Sequence, residues 1–292
     1  MKRRLMGSSV FDAFNYIFLA LVGLVCLIPV LHTLFSSLSD PVQLARQQGL
    51  MLYPHGISVR GYELVAQNRN IISGYINTLI YVVFGTALSI LLTAMGAFVC
   101  SRKQLRIRRG LTTFIVFTMY FSGGLMPFYM VVKGLGLFDN RLAIILPTAI
   151  SAWNLIIMRT SFEEVPVSLE ESAKIDGAND IVVLFRIFIP VSRAVIAVMV
   201  LLYAVSQWNS WFNAMIFLRD RSLYPLQLII KEILVQNDTS KIMTIADQSD
   251  MDLYKPLVKY CTVIVSIVPI ILVYPFIQQY FVKGMMIGAV KG

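Results

Sequence analysis

Acidic and basic side chains occur together in residues 163–190, a charged stretch between two apolar segments that could form ion pairs with a partner. The sequence offers little else for catalysis. It has only two histidines, His32 and His55, and no Ser-His-Asp set, no paired catalytic carboxylates and no GxxxxGK[ST] phosphate-binding pattern. Its three cysteines lie apart in apolar segments, so neither a metal site nor a disulfide is predicted. We therefore expect a binding or mechanical role and no enzymatic activity.

The first half of this stretch is predicted to form a short helix that ends at a glycine. Ser168 and Glu171 are spaced as a capping box, in which each side chain bonds the free backbone N–H of the other residue. Gly177 fits the left-handed position that ends a helix at little steric cost.

The second half is predicted to form another short helix, capped by Asn179 or Asp180 and stopped or kinked at Pro190. Its apolar face would consist of Ile181, Leu184, Phe185 and Phe188. Two short helices joined at a glycine elbow would form a rigid lever, which a flexible loop could not do.

The rest of the chain has the composition of a membrane protein. Of its 292 residues, 57% are hydrophobic and 14% are charged, whereas soluble domains average about 25% charged residues. Six segments without Asp, Glu, Lys or Arg are long enough to span a bilayer as helices, namely residues 13–38, 75–100, 111–132, 142–158, 194–218 and 260–282. A charge at the bilayer centre costs about 2.5–3.5 kcal/mol, so residues 163–190 must be a surface loop between the fourth and fifth segments.

Basic residues indicate which ends of these segments face the cytoplasm. The short connection 101–110 contains five of them, which are Arg102, Lys103, Arg106, Arg108 and Arg109. Such density in a short loop is typical of the cytoplasmic side. The same topology places both termini and residues 163–190 in the cytoplasm. The net charge of +9 is therefore attributed to membrane orientation, and no nucleic-acid binding is predicted.

The residues of the charged stretch resemble the EAA loop of permease subunits in binding-protein-dependent ABC importers. The resemblance rests on Glu171-Ser172-Ala173, on Asp176-Gly177-Ala178 and on Pro190 after the second helix. Ser172 replaces the first alanine of the family pattern, which is a change between small residues.

The resemblance extends over nearly the whole chain. Three further segments are similar to carbohydrate-importer permeases of the type of the second membrane subunit of the maltose transporter, namely residues 140–143, 208–213 and 288–292. Residues 121–124 and 203–220 look closer to the subgroup associated with complex plant oligosaccharides.

This resemblance implies an all-α membrane protein with the type I ABC importer fold, in which residues 1–292 form one permease domain with six transmembrane helices. Residues 163–190 would be the cytoplasmic coupling loop between spans four and five, and residues 219–259 an outer loop. Coupling to the ATPase would involve Glu171, Ser172, Ala173, Asp176, Gly177, Ala178 and Pro190. The tail 284–292 would enter the ATPase interface, unless it is simply a frayed terminus.

The resemblance also implies the surroundings of the chain, which would lie in a bacterial cytoplasmic membrane and contact its lipid. Its partners would be a second homologous permease, an ATP-binding ABC ATPase dimer, an extracytoplasmic solute-binding protein and a sugar substrate. ATP and Mg²⁺ would be bound by the ATPase, so no cofactor or metal is expected on this chain.

Polar and aromatic residues inside the predicted spans are candidates for a substrate path. They are Asn154, Gln207, Trp208, Asn209, Trp211 and Asn213. Aromatic faces pack against the C–H groups of sugars while amides bond hydroxyls. The alternative is that these residues hold helices together or form an interfacial aromatic belt.

Residues 224–235 are predicted to form an amphipathic helix on the outer surface, with Leu226, Ile229, Ile230 and Ile233 on one face. Because the corresponding loop of the family reaches the solute-binding protein, Tyr224, Gln227 and Lys231 are candidates for that contact. The alternative is a helix that lies on the membrane.

Three other functions compete with sugar import. An ABC permease for peptides or anions would share the coupling loop, and a non-transporting membrane scaffold would need no ATPase. An ion-coupled secondary transporter would need acidic residues within its spans or broken helices with ion ligands, and the six segments contain no acidic residue.

Overall fold

The structure is a computed structural model that describes residues 6–47, 49–235 and 248–289. Within these ranges the regular elements are helices and no strand occurs, which confirms the predicted all-α class. The chain divides into two compact units, Met1–Arg69 with Glu232–Val268 and Asn70–Lys231 with Pro269–Gly292. The last three residues of the predicted ATPase-binding tail, 290–292, lie outside the described residues.

The helices follow one another along the chain with short connections. They are α1 Met6–Leu38, α2 Pro41–Arg46, α3 Arg60–Gln67, α4 Arg69–Ser101, α5 Arg108–Tyr120, α6 Leu125–Gly134, α7 Leu142–Ile145, α8 Ala152–Glu163, α9 Val167–Ile175, α10 Asp180–Val183, α11 Ile189–Val191, α12 Arg193–Trp208, α13 Phe212–Phe217, α14 Leu226–Val235 and α15 Gln248–Ala289. A π-helical segment, Leu184–Phe188, joins α10 to α11, and a 3₁₀ turn, Arg221–Leu223, precedes α14.

Three helical stretches are long and apolar enough to cross a membrane, Phe11–Leu38, Arg69–Ser101 and Leu253–Pro275. They correspond to the first, second and sixth predicted spans. Two broken pairs are further candidates, α5 with α6, bent by 119°, and Asp180–Val191 with α12, bent by 89°. If each pair crosses once, the described residues provide up to five spans, so the number six stays a prediction.

The other three predicted segments are not continuous helices. The chain leaves the helical conformation between α5 and α6 and again between α12 and α13. The segment 142–158 contains only the single turn of α7 before α8 begins. Pro147 lies in this break, where its missing N–H cannot continue a helical ladder.

Hydropathy did not reveal the break in segment 142–158 because α7 is entirely apolar and three of its four side chains are buried in protein. Ala143 and Ile144 have no exposed surface and Ile145 is almost fully buried. Irregular backbone at membrane depth is tolerated where protein surrounds it. Burial in protein and burial in lipid select the same side chains, so composition alone cannot distinguish them.

In the unit that contains α4, α8 and α12, these helices pack around small residues. Ala94 and Ala97 of α4 are buried against Met158 and Phe162 of α8 and Met199 of α12. Small side chains at such contacts let helix backbones approach closely. This core also contains residues of the π-helical segment, so it supports the loop that follows α8.

In the other unit, α1, α3 and α15 contact one another through small and polar groups. The Tyr62 hydroxyl lies 2.6 Å from Ser37 Oγ, and a Cβ built at Gly61 would lie 2.6 Å from Cys261 Sγ. His32 Nδ1 accepts a hydrogen bond from the Met51 N–H at 3.0 Å, and its ring packs edge-on against Tyr260. His32 thus has a packing role in this unit.

Candidate functional site

The charged loop forms the predicted pair of short helices around a glycine elbow. Gly177 has φ +84°, and the Ala178 N–H donates to the Ala173 carbonyl at 2.9 Å. The Asn179 side chain then accepts from the Val182 N–H at 2.9 Å, which caps α10. The predicted left-handed glycine and the Asn179 cap are therefore confirmed.

The predicted start of the first helix is wrong. The helix α9 begins at Val167 after Pro166, and Pro166 provides no side-chain cap. Ser168 therefore lies inside the first turn and does not form a capping box with Glu171. Proline is favourable at a helix start because its fixed φ and missing N–H cost nothing there.

The predicted apolar face of the second helix is also wrong in part. Leu184 and Phe188 are buried, whereas Ile181 and Phe185 are exposed by 68% and 46%. The π-helical segment Leu184–Phe188 has a wider turn than an α-helix, so the 3.6-residue periodicity does not hold through it. Val183 takes a core position that periodicity did not predict.

A buried ion pair attaches the loop to the end of α4. The Arg102 guanidinium pairs with the Glu170 carboxylate, and the two side chains are only 10% and 9% exposed. Arg102 also lies 4.0 Å from the Phe98 ring centroid and 4.8 Å from that of Phe188. Burial lowers the pKa of Arg102, and the charge of Asp180 opposes that shift.

Sequence reasoning missed this attachment. The sequence patterns identify Arg102 only as a marker of orientation and assign no role to Glu170. The pair joins residues far apart in the sequence, so no local signal could reveal it. Lys174 adds a second, more exposed contact to Glu170 at 2.9 Å.

The predicted coupling residues divide into an outward and an inward set. Four of them are exposed on α9 and the elbow, namely Glu171, Ser172, Asp176 and Gly177. Ala173 and Ala178 are half-buried and pack against the core of this unit. Pro190 is exposed within α11, just before the 89° bend. Their role in coupling stays a prediction.

Two of the substrate-path candidates lie in a polar seam between α12, α4 and the break before α8. Gln207 Nε2 donates to Thr148 Oγ1 at 2.9 Å, and Trp208 packs edge-on against Tyr75 at 5.7 Å between ring centroids. Within the described residues, Gln207 Oε1 and Trp208 Nε1 are buried without a hydrogen-bond partner. A buried polar group without a partner costs about 1–3 kcal/mol, so these atoms suit water or a hydroxyl group.

The remaining candidates occupy different surroundings. Asn154 is buried near the start of α8, and Asn213 is half-buried in α13. Asn209 is exposed, and its side chain donates to the Val205 carbonyl of its own helix at 2.9 Å. Trp211 lies elsewhere, because its ring contacts Lys231 of α14, whose Nζ is 3.7 Å from the ring centroid. The structure thus joins residues that were predicted for two separate roles.

The predicted helix of residues 224–235 is present as α14, and its four predicted apolar residues are buried. The Leu226 N–H donates to Thr78 Oγ1 at 2.9 Å, and Asn77 Nδ2 donates to the Ser222 carbonyl at 2.6 Å. The chain before and at the start of α14 is therefore bonded to α4. The binding-protein candidates Tyr224, Gln227 and Lys231 are half-buried.

An aspartate in the left-handed backbone conformation joins two loops, the one between α6 and α7 and the one that follows α13. Asp139 has φ +55° and accepts hydrogen bonds from the N–H groups of Asp220 and Arg219, both at 2.8 Å. These backbone N–H groups hold the pKa of Asp139 below its ordinary value. No local pattern in the sequence predicts this contact between residues about 80 positions apart.

The chain is similar to known transport proteins. Residues 94–287 match a family described as the binding-protein-dependent transport system inner membrane component. The polygalacturonan/rhamnogalacturonan transport system permease protein YtcP of Bacillus subtilis (strain 168) is 38% identical over 291 residues, covering 98% of this chain and 100% of that protein. Protein LplC of the same strain is 36% identical, covering 98% of this chain and 96% of its own length.

A solved structure is similar over nearly the same extent. A chain in the crystal structure of a bacterial ABC transporter involved in the import of the acidic polysaccharide alginate superposes with a TM-score of 0.86 at 32% sequence identity. The similarity covers 96% of the present chain and 100% of that chain.

Proposed function

Since the chain belongs to the family of inner membrane components of binding-protein-dependent transport systems, we propose that it is a permease subunit of an ABC importer for acidic oligosaccharides. In this proposal residues 163–190 receive the movement of a cytoplasmic ATPase and pass it to the membrane helices. The chain itself hydrolyses no ATP.

The observation that carries this proposal is the exposed elbow between α9 and α10, which is closed by backbone hydrogen bonds and an Asn179 cap. One face of α9 presents Val167, Glu171 and Ile175 at intervals of four residues, and the two apolar side chains are 56% and 86% exposed. Exposed apolar side chains that share a face with a carboxylate suit a protein–protein contact. The Arg102–Glu170 pair ties the same helix to α4, so a force on α9 reaches a long helix directly.

The proposed cargo follows from the relatives and from the charges of this chain. The names of the relatives mention polygalacturonan, rhamnogalacturonan and the acidic polysaccharide alginate. In this chain Lys231 has no ion-pair partner within the described residues and lies above Trp211. An ammonium next to an indole ring suits a uronate, whose carboxylate takes the charge while its ring packs on the aromatic surface.

The proposed assembly contains a second permease, two ATPase subunits or domains and an external solute-binding protein. Both termini and the coupling loop would face the cytoplasm, as the basic connection 101–110 favours. The seam around Gln207 and Trp208 would line part of the translocation path.

The test is the substitution Gly177→Val in the assembled, reconstituted transporter. Valine cannot adopt φ +84° without strain, so the elbow should open and the ATPase rate should lose its stimulation by the loaded binding protein. Gly177→Asn should retain most of the stimulation, because asparagine tolerates the left-handed conformation.

Gly136→Val is the matched control, since Gly136 has φ +70° and, like Gly177, open space around its Cβ position. It introduces the same kind of strain away from the loop and should leave stimulation near the wild-type value. Equal loss in Gly136→Val and Gly177→Val, or normal stimulation in Gly177→Val, would contradict the coupling role.

A further inference from the structure

A basic cavity of about 570 Å³ lies where the connection 101–110, the start of α5 and the middle of α8 meet. Five cationic side chains line it, which are Lys103, Arg106, Arg108, Arg109 and Arg159. Arg108 and Arg159 share one carboxylate, Glu163, at 3.2 and 2.8 Å. Among the described residues, Lys103, Arg106 and Arg109 form no ion pair, and all three are exposed.

The start of helix α5 adds to the positive charge of this cavity. The helix α5 begins at Arg108, and its N-cap residue Ile107 provides no side-chain acceptor for the free N–H groups of the first turn. A helix start carries a partial positive charge and is a favourable place for an anion. Thr112 Oγ1, which also lines the cavity, is buried without a hydrogen-bond partner in the described part of the chain. Guanidinium groups, a hydroxyl and a helix start together suit the oxygens of a phosphate group.

The helix α5 continues from the cavity with an exposed apolar surface. It contains no buried residue, and Phe114 and Phe117 are 66% and 51% exposed. A ligand that joins a phosphate to hydrocarbon chains would satisfy both regions, whereas free phosphate would satisfy only the first. Basic pockets beside membrane helices are suited to acidic lipid headgroups.

We infer that this cavity binds the phosphate of an anionic phospholipid, with the acyl chains along α5. Its position in the cytoplasmic leaflet rests on the topology under the proposed function. Bound lipid would supply counter-charge to the three cations without an ion pair in the described residues and would share Arg108 and Arg159 with Glu163, the last residue of α8.

The experiment counts lipid bound to the purified, intact transporter by native mass spectrometry. The transporter is titrated with phosphatidylglycerol or with zwitterionic phosphatidylcholine, and phosphatidylglycerol should be retained preferentially. The double variant Arg106→Gln/Arg109→Gln should retain it about 25-fold less tightly, because each cation near an anionic headgroup contributes about fivefold.

Matched variants separate this site from general charge effects. Arg46→Gln/Arg193→Gln removes two exposed cations outside the cavity and should retain phosphatidylglycerol like the wild type. If the double glutamine variant does not fold, Thr112→Val tests the same site without a charge change, and about tenfold weaker retention is expected.

The competing outcomes are distinct. Displacement of phosphatidylglycerol by millimolar inorganic phosphate would identify soluble phosphate as the ligand and would overturn the lipid assignment. Equal retention of both lipids, or wild-type retention in Thr112→Val and the double variant, would overturn it as well. These measurements need no ATP or sugar, so a failure of the proposed transport activity would appear separately in the reconstituted assay.

Discussion

The substitution Glu170→Gln should loosen α9 from the residues that follow α4. Glu170 and Arg102 form a nearly buried pair, and neutralising the carboxylate leaves the guanidinium without its closest counter-charge. Breaking a buried pair on one side costs about 3–5 kcal/mol. The rings of Phe98 and Phe188 still face Arg102 in the variant, so we expect the lower end of that range, about 3 kcal/mol.

Hydrogen exchange of the backbone amides of α9 measures this change directly. A local loss of about 3 kcal/mol corresponds to exchange about 150-fold faster, since 1.36 kcal/mol is a factor of ten. The matched control is Glu63→Gln, because Glu63 pairs with Arg60 at 2.7 Å but both side chains are about half-exposed. Exposed pairs contribute about 0–1 kcal/mol, so exchange in α3 should change little.

A double variant distinguishes the loss of the pair from other damage. Arg102→Met/Glu170→Leu removes both charges and should recover much of the protection, because apolar replacements of a buried pair are often neutral or stabilising. Exchange in Glu170→Gln as slow as in the wild type would refute the reasoning, since the pair would then not hold α9.

Two further predictions concern packing and pH. Gly85→Ala should lower the thermal unfolding temperature, at a cost of about 1–3 kcal/mol in the free energy of unfolding. The new Cβ would lie 2.8 Å from the side chain of Gln207, which is buried and bonded to Thr148. Gly23→Ala, with open space around its Cβ position, should leave the temperature unchanged, and equal effects of the two substitutions would contradict the close contact. The pKa of Asp139 is lower in the folded chain than in the unfolded chain, so as pH falls the unfolded chain binds the proton at a higher pH. Asp139 therefore stabilises the fold above the ordinary aspartate pKa of about 3.9. This stabilisation is lost as pH falls through the pKa of the folded state. Unfolding measured from pH 6 to pH 3 should therefore depend less on pH in Asp139→Asn, and parallel curves for the two proteins would show that Asp139 is not responsible.

The elbow could be predicted from sequence because its signals are local. Gly177 and Asn179 act on backbone groups within a few residues, and both adopt the predicted conformations. The buried face of α14 was also predictable, because four apolar residues recur at helical spacing and nothing interrupts the helix.

The features that the sequence did not predict correctly have physical causes of two kinds. The π-helical segment Leu184–Phe188 shifts the periodicity that placed Phe185 inside, and the protein-buried turn of α7 has the same composition as a lipid-facing segment. The Arg102–Glu170 pair and the Asp139 contact depend on tertiary proximity between distant residues, which spacing along one chain does not encode.

The length of α4 and its contacts connect two distant parts of the chain. Its 33 residues give a length of about 50 Å. Asn77, in the first third of the helix, bonds the turn before α14, and Arg102, just after its last residue, pairs with Glu170 of α9. Because α4 is one continuous helix, a displacement of the chain at Arg102 would also move Asn77. Under the proposed function, a partner that binds at the turn before α14 and favours one position of α4 would therefore also alter, by the same factor, the affinity of the ATPase for the elbow at Gly177.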